Sequence, residues 1–162
     1  MNPITHAQLD WDDQGRPHSR VFDDVYFSDK SGLEETRYVF LEQNRLQERF
    51  AALPVGGRLV IGETGFGTGL NFLCAWQLFE QYAVAGAHLH FVSVEKYPLS
   101  HADLQRALAL WPELQPFAEQ LLKQYIAIHQ GFQRLILDNG RVTLTLLIGD
   151  ALEQLPQLDA QI

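Results

Sequence analysis

The sequence predicts an α/β fold built on a parallel sheet. Short apolar runs of strand length alternate with longer segments of helical periodicity, in the order strand, helix, strand, helices, strand. This order is typical of parallel sheets whose strands are joined by right-handed crossovers. With 162 residues, 46% of them apolar, the chain is long enough to bury one sizeable core.

The N-terminal third is expected to form a cap over residues 1–57, an irregular arm followed by a helix. The first thirty residues are rich in Asp, Pro, Gly and Ser and show no sustained period, which favours an irregular or short-stranded arm. Ser31 and Glu34 then have the spacing of a capping box, and apolar residues recur at helical intervals as far as Pro54. Asn44 is a point at which this helix can break in two.

Residues 58–162 supply the elements of the sheet. The run "RLVIGE" predicts a strand buried on both faces, and "LNFLCAWQLFEQYA" after the glycine-rich loop predicts a helix packed on nearly every side. The second strand is "LHFVSVE". Ser100 is the predicted N-cap of the next helix, and "PELQPFAEQLLKQYIAIHQG" predicts a further helix that ends near Gly131. Two alternating strands then flank Asp138-Asn139-Gly140, a strong hairpin signal.

Composition excludes several classes of protein. The single cysteine, Cys74, rules out a disulfide framework and fits a reducing compartment. The N-terminus has no signal-peptide pattern and no apolar run has the length of a membrane span, so we expect a soluble cytoplasmic protein without a membrane partner. A formal charge of −8 argues against a large nucleic-acid footprint on this chain. The six histidines have no metal-ligand spacing, so no metal site is predicted.

The glycine-rich loop between the first strand and its helix is the first candidate binding element. Its pattern is Gly65-x-Gly67-x-Gly69, and Leu70 stands where a dinucleotide fingerprint has its last glycine. A P-loop is excluded, because no Lys-Ser/Thr pair follows. The carboxylate of Glu63, just before the loop, would repel a pyrophosphate and attract an ammonium or sulfonium. The loop therefore predicts a cofactor that is cationic at this point.

Carboxylates also end the next two strands that run toward this site. Glu95 can accept two hydrogen bonds from adjacent ribose hydroxyls, and Asp150 can accept one from the exocyclic amine of a base. A glycine-rich turn is often structural, and a carboxylate at a strand end often caps a helix. Ligands of parallel sheets bind beyond the carboxyl ends of the strands, so the joint occurrence of the three features indicates a ligand site.

These residues resemble a known family. The segments "ETGFGTGLNF", "VEKYPL" and "GDAL" resemble the first three motifs of class I S-adenosylmethionine-dependent methyltransferases, which have a Rossmann-like fold. Together with "VYFSDKSGLEETRYVFLEQNRLQERF" and "RLILDNGRVTLTLLIGDALEQLP", nearly the whole chain resembles the N-terminal methyltransferase domain of the bifunctional tRNA 5-methylaminomethyl-2-thiouridine biosynthesis family. The "GLEETRYVFL" segment is specific to that family.

The resemblance implies N-methylation of the 5-aminomethyl group of a modified wobble uridine in tRNA. S-adenosylmethionine is the implied methyl donor, and a C-terminal FAD-dependent oxidase is the implied partner domain. Carried over by position, the loop Gly65–Gly69 approaches the methionine part, Glu63 its ammonium, Glu95 the ribose and Asp150 the adenine. Tyr26 and Asn71 are further candidates for the cofactor and substrate mouth, the alternatives being a core aromatic and a helix-start polar residue.

The same family has a seven-stranded sheet whose fourth strand lies beside the first. Asp159–Ile162 would open that strand, so we expect a class I methyltransferase fold that is C-terminally truncated within the fourth strand, residues 58–162 being the N-terminal half of the domain. The catalytic residues are then unknown and expected beyond Ile162. The fragment is expected to be inactive alone and to self-associate through the free strand edge.

Two other functions stay open at this point. The first is an NAD-type oxidoreductase, against which Leu70 counts. The second is a non-catalytic interaction module that retains the cofactor fold.

Overall fold

The computed structural model describes residues 4–26 and 32–158, and its centre is a four-stranded sheet. The strand order is β4-β5-β7-β6, with β4, β5 and β7 parallel and β6 antiparallel to β7. The bounds of these strands are β4 Arg58–Thr64, β5 His88–Glu95, β6 Gly131–Leu137 and β7 Val142–Ile148. The predicted α/β fold and the predicted hairpin are both confirmed, since Asp138–Gly140 forms a single 3₁₀ turn between β6 and β7.

Helices cover one face of the sheet. They are α3 Leu70–Tyr82, α4 His101–Leu108, a 3₁₀ turn at Pro112–Leu114 and α5 Gln115–Gln124. The ring of Phe72 in α3 lies 5.2 Å from that of Phe91 in β5, and both side chains are fully buried. Ser100 caps α4 as predicted, accepting a hydrogen bond from the Asp103 N–H. The near-continuous apolar sequence of α3 follows from this burial, because sheet and helices enclose it together.

The helix α5 ends at Gln124, so the prediction that it continues to near Gly131 is wrong. Tyr125 leaves the helical backbone at φ −82° and ψ 55°. Its ring is 2% exposed, and its hydroxyl donates to the Leu99 carbonyl over 2.9 Å. The burial of this tyrosine against the turn before α4 sets the end of the helix.

The strand β4 is not buried on both faces, contrary to the prediction. Ile61 faces the helices and is 9% exposed, whereas Val60 on the opposite face is 41% exposed. On that second face the short helix α6 Ala151–Gln154, which runs into a 3₁₀ turn at Leu155–Gln157, lies near Val92. Among the described residues β4 pairs only with β5, so self-association through the other edge stays a prediction.

The N-terminal cap contains a small antiparallel sheet and two helical segments. Its strands are β1 Leu9–Trp11, β2 Pro17–Ser19 and β3 Asp24–Val25, as the short-stranded alternative expected. The first helical segment is α1 Gly32–Glu35, which continues as a π-helix at Thr36–Glu42. The second is α2 Leu46–Ala51. Ser31 lies outside the described residues, so the predicted capping box is not tested.

The break of the cap helix falls where Asn44 predicted it. Arg45 is in the left-handed region with φ 52°, and the Asn44 side chain donates to the Phe40 carbonyl over 2.7 Å. After the break, Phe50 of α2 packs edge-on against Phe79 of α3 at 5.4 Å. The cap helix thus packs into the same hydrophobic core as the sheet. The domain boundary expected at residue 57 stays a prediction. No helix in the described ranges is long and apolar enough to cross a bilayer.

Arg141 joins the β6–β7 hairpin to the end of α3. Its guanidinium donates to the carbonyls of Ala83, Val84 and Ala87 and pairs with the Glu80 carboxylate at 2.9 Å. It also lies 4.6 Å from the centre of the buried Phe79 ring. The free carbonyls at the end of a helix need such donors.

Replacing Arg141 by Met should lower the free energy of unfolding by about 3 kcal/mol, because several carbonyls lose a charged donor at a site where the side chain is 20% exposed. Urea denaturation followed by circular dichroism measures this as a lower midpoint at constant slope. The matched control is Arg49→Met on the exposed face of α2, which should change stability by less than about 0.5 kcal/mol. Equal effects of the two substitutions would contradict the role given to Arg141.

Candidate functional site

The carboxyl ends of β4, β5 and β7 open into one cavity of about 1040 Å³. One wall, which we call the strand-end wall, is formed by the β4–α3 loop and the residues that follow β5 and β7. The opposite wall, the cap wall, comes from the β2–β3 turn, Tyr26 and the π-helix. The cavity therefore lies where ligands of parallel sheets bind.

Most of the predicted site residues line this cavity. Those that do are Tyr26, Gly65, Gly67, Asn71, Glu95 and Asp150. Glu63 and Gly69 are close to it in the chain but are not part of its lining. The structure thus brings the three strand ends together, as the sequence predicted.

The loop after β4 requires glycine at Gly67 and Gly69, which have φ of 55° and 74°. A Cβ on Gly67 would lie 3.3 Å from the Tyr26 ring, across the cavity lining. A Cβ on Gly69 would lie 2.9 Å from the Phe66 ring, inside the turn that starts α3. Gly67 therefore shapes the cavity wall, and Gly69 shapes the turn behind it.

Glu95 ties two loops together through its carboxylate. Its Oε2 accepts from the Gly67 N–H and its Oε1 from the Tyr97 N–H, both over 2.9 Å. The Gly67 N–H, which in a phosphate loop would point at an anion, is here taken by a carboxylate. Tyr26 lies beside this group, and burial together with the Glu95 charge raises its pKa to about 12.

Asp150 begins α6 as its N-cap. Its Oδ1 accepts from the Leu152 N–H over 2.9 Å, and its Oδ2 accepts from Lys96 Nζ over 3.0 Å. The hydrogen bond from Lys96 and that from the Leu152 N–H hold the pKa of Asp150 below its ordinary value. The helix-cap alternative raised for a strand-end carboxylate is therefore correct, and it leaves the side chain on the cavity lining. Sequence reasoning missed Lys96, although it directly follows Glu95 in "VEKYPL".

Glu63 lies behind the lining and holds Asn71 in it. Its Oε2 accepts from Asn71 Nδ2 over 3.2 Å, and its Oε1 accepts from the hydroxyl of the fully buried Ser93 over 3.0 Å. Burial raises the pKa of Glu63 to about 7, although both hydrogen bonds lower it. A cationic ligand close to Asn71 would favour the ionised form.

Carboxylates outnumber cations in the lining of the cavity. The described lining holds Asp24, Glu35, Glu95 and Asp150 against Lys96. Such a site attracts cationic groups and repels phosphates. Within the described residues there is no group of three or more His, Cys, Asp or Glu side chains that could hold a metal ion.

Apart from Tyr26, the cap wall is the part of the site that residue-by-residue reasoning did not find. It contains Phe22 from the β2–β3 turn, Val39 and Phe40 from the π-helix, and it reaches Tyr97 after β5. A π-helical insertion often marks a functional position, but its hydrophobic period is not distinguishable from that of an α-helix over seven residues. The sequence signal that could have indicated this wall is the family-specific segment "GLEETRYVFL", which includes the first residues of the π-helix.

The raised pKa of Glu63 makes stability depend on pH. A carboxyl whose pKa rises from 4.5 to about 7 on folding contributes most below pH 4.5. This contribution, about 3 kcal/mol, is lost as the pH rises from 4.5 to 7. In Glu63→Gln this dependence should be absent, so the difference in unfolding free energy between wild type and variant should change by that amount across the range. Urea titrations at pH 4.5, 6 and 7.5 measure it, and parallel curves for the two proteins would contradict the prediction.

Comparison with known proteins agrees with these features. A family model described as "S-adenosyl-L-methionine-dependent methyltransferase" matches residues 112–162. The chain is 85% identical over its full length to the tRNA 5-methylaminomethyl-2-thiouridine biosynthesis bifunctional protein MnmC of Pseudomonas fluorescens (strain Pf0-1), and 74% identical to the protein of the same name from Pseudomonas syringae pv. tomato. It spans about a quarter of the length of these curated relatives, 25% and 24%.

A solved structure shows the same fold. The crystal structure of MNMC2 from Aquifex aeolicus aligns with a TM-score of 0.66 over 96% of this chain and 46% of that one, at 19% identity. The Rossmann-like methyltransferase fold is thereby confirmed, and the resemblance read from the motifs is confirmed by the sequence identities. The chain is homologous over its whole length to about a quarter of the length of the bifunctional tRNA 5-methylaminomethyl-2-thiouridine biosynthesis proteins, and its residues 112–162 match the S-adenosyl-L-methionine-dependent methyltransferase model.

Proposed function

We propose that this chain binds S-adenosylmethionine in the cavity and takes part in N-methylation of the 5-aminomethyl group of a modified wobble uridine in tRNA. The observation that carries the proposal is the meeting of three strand ends, each with a motif residue, at one acidic cavity. The 85% identity to a protein named for tRNA 5-methylaminomethyl-2-thiouridine biosynthesis supports the choice of substrate.

Each strand end has a proposed role toward the cofactor. Glu95 accepts hydrogen bonds from the two ribose hydroxyls, and Asp150 accepts one from the adenine amine. Gly65 and Gly67 let the backbone approach the methionine part of the cofactor, while Gly69 forms the turn behind them. Asn71, held by Glu63, faces the ammonium group, so that Glu63 contributes its charge through this contact.

The described residues position and attract the reactants. S-adenosylmethionine supplies the methyl group when it is bound, and transfer to an amine is an in-line displacement in which positioning does much of the work. The carboxylates of the lining attract the cationic groups of both reactants, and the acceptor amine has to lose its proton before it attacks the methyl group. The residues that orient or deprotonate the acceptor amine are expected beyond Ile162, and this location stays a prediction.

The proposal also covers the cell compartment, the tRNA substrate and the second enzymatic activity. We propose that the longer protein acts in the cytoplasm on tRNA, and that its further sequence includes the FAD-dependent oxidase that produces the amine. The relatives are named as bifunctional, which supports a second activity. A tRNA surface in that further sequence would compensate for the −8 charge of this chain.

An NAD-type oxidoreductase is not favoured. The Gly67 N–H is occupied by the Glu95 carboxylate and the lining is acidic, so a pyrophosphate would meet repulsion where a dinucleotide site supplies N–H donors. Calorimetric titration with S-adenosylhomocysteine and with NAD distinguishes the two cofactors. Nucleoside mass spectrometry of tRNA treated with the full-length protein distinguishes an enzyme from a non-catalytic module, which would form no methylated nucleoside.

Glu95→Gln should weaken binding of S-adenosylhomocysteine about tenfold or more, because hydrogen bonds to a charged group contribute about 1.5 to 3 kcal/mol each. Isothermal titration calorimetry measures the change. Glu119→Gln on the exposed side of α5 removes the same charge away from the cavity and should leave the dissociation constant unchanged. An unchanged constant in a folded Glu95→Gln protein would remove Glu95 from the binding site.

Gly67→Val should abolish cofactor binding while the circular dichroism spectrum stays near native. Valine at φ 55° is strained, and its Cβ would press on the Tyr26 ring at the cavity wall. Gly62→Val is the matched control, since Gly62 lies within β4 and a Cβ there meets no atom within 4 Å. If the Gly67 variant bound S-adenosylhomocysteine as the control does, the loop would be only a turn.

A further inference from the structure

The two walls of the cavity differ in chemistry. The strand-end wall holds the glycine loop and the carboxylates assigned above to the cofactor. The cap wall carries the large apolar side chains Val21, Phe22, Val25 and Phe40 together with the carboxylates of Asp24 and Glu35. Tyr97, in the strand-end wall, lies beside Phe22. Exposed aromatic rings in a lining that also carries carboxylates indicate a ligand, or a pair of ligands, with one flat uncharged part and one cationic part.

The cavity is at the large end of the sizes found for ligand pockets. Its volume of about 1040 Å³ is at the upper end of the range for a pocket that holds a single drug-sized ligand, about 300 to 1,000 Å³. A cofactor placed on the strand-end wall leaves the cap wall uncovered. The second ligand of the proposed reaction is the acceptor nucleoside.

Phe22 is presented to the cavity by a strained turn. Its side chain is 67% exposed, unusual for so large an apolar residue. The turn is held by a hydrogen bond from the Phe22 N–H to Ser19 Oγ over 3.3 Å, and the next residue, Asp23, has a φ of 49°. Such backbone conformations concentrate at ligand-binding positions.

Phe22 and Tyr97 form an open aromatic pair. Their ring centres are 6.0 Å apart and the planes meet at 54°, so the two rings do not cover each other's faces. Tyr97 is fixed by its N–H bond to Glu95, and Lys96 Nζ lies 5.6 Å from its ring centre. The pair is thus joined directly to the carboxylate assigned to the cofactor ribose.

We propose, on the basis of the function proposed above, that Phe22 and Tyr97 are a stacking platform for the base of the acceptor nucleoside. The pyrimidine ring is planar and uncharged and stacks on aromatic side chains with little dependence on sequence. Its aminomethyl substituent, which is cationic until it loses the proton that transfer requires, then lies among the carboxylates of the lining. Phe22 thereby selects for a flat base at the acceptor position and makes no contact with the cofactor.

The test is a titration with the nucleoside 5-aminomethyl-2-thiouridine, followed by NMR, on the chain saturated with S-adenosylhomocysteine. Phe22→Ala should weaken nucleoside binding about tenfold, and Phe22→Trp, which keeps an aromatic face, should restore it to within about threefold of wild type. Phe132→Ala is the matched control, because Phe132 is a 43% exposed phenylalanine of β6 outside the cavity lining. The affinity for S-adenosylhomocysteine, measured by calorimetry, should stay within twofold in all three variants.

The outcomes separate the two proposals. If wild type binds the nucleoside and Phe22→Ala binds it equally well, the platform is wrong and the proposed function stands. Loss of S-adenosylhomocysteine binding in Phe22→Ala, or failure of Phe22→Trp to restore nucleoside binding, would also overturn the platform. If wild type binds S-adenosylhomocysteine but not the nucleoside, the platform is wrong and the cofactor site proposed above stands; if it binds neither, the proposed function fails as well. A Phe22→Leu variant gives the same comparison should the alanine variant not fold.

Discussion

The arrangement of the site depends on one carboxylate. Glu95 accepts the Gly67 N–H with one oxygen and the Tyr97 N–H with the other, so the loop after β4 and the turn after β5 are fixed relative to each other. Both donors are backbone groups whose positions follow from the parallel pairing of β4 with β5. A buried backbone N–H needs a partner, and here the partner also carries the charge that gives the cavity its acidic character.

A second constraint is that the hydrophobic core lies mainly on one face of the sheet. Helices pack on one face of the sheet, where the rings of Phe72, Phe79 and Phe91 are fully buried. Within residues 4–26 and 32–158, the other face is covered around Val92 by α6 and is exposed at Val60, Phe132 and Ile136. The strand ends that form the site are therefore held from the helix-covered side, while Arg141 holds the opposite end of the sheet through its bonds to the end of α3.

The sequence was sufficient for features that depend on local chemistry. Turn and cap preferences of single residues are enough to predict several features. These are the three strand ends, the Asp138-Asn139-Gly140 turn, the Ser100 cap and the break at Asn44. Features that depend on distant partners were not accessible. The end of α5 is set by the burial of Tyr125 against Leu99, and the exposure of Val60 depends on what packs over β4. The pairing of Lys96 with Asp150 joins residues 54 positions apart and is visible only once β5 and β7 are paired.

The shared core of α2 and α3 determines how a ligand can enter the cavity. The cap wall is anchored at the π-helix by Phe40, whose ring is 6.2 Å from Phe91, and beyond it by Phe50 against Phe79. A rigid-body movement of the π-helix and α2 away from the sheet would expose aromatic core side chains to water, at a cost of several kcal/mol. The β1–β3 sheet is attached through the Ala7 N–H to the Pro98 carbonyl, the Arg106 guanidinium on the Trp11 ring and the packing of Leu9 against the core. We therefore expect ligand exchange to leave the helical side of the entrance in place, because its anchoring rings pack into the core.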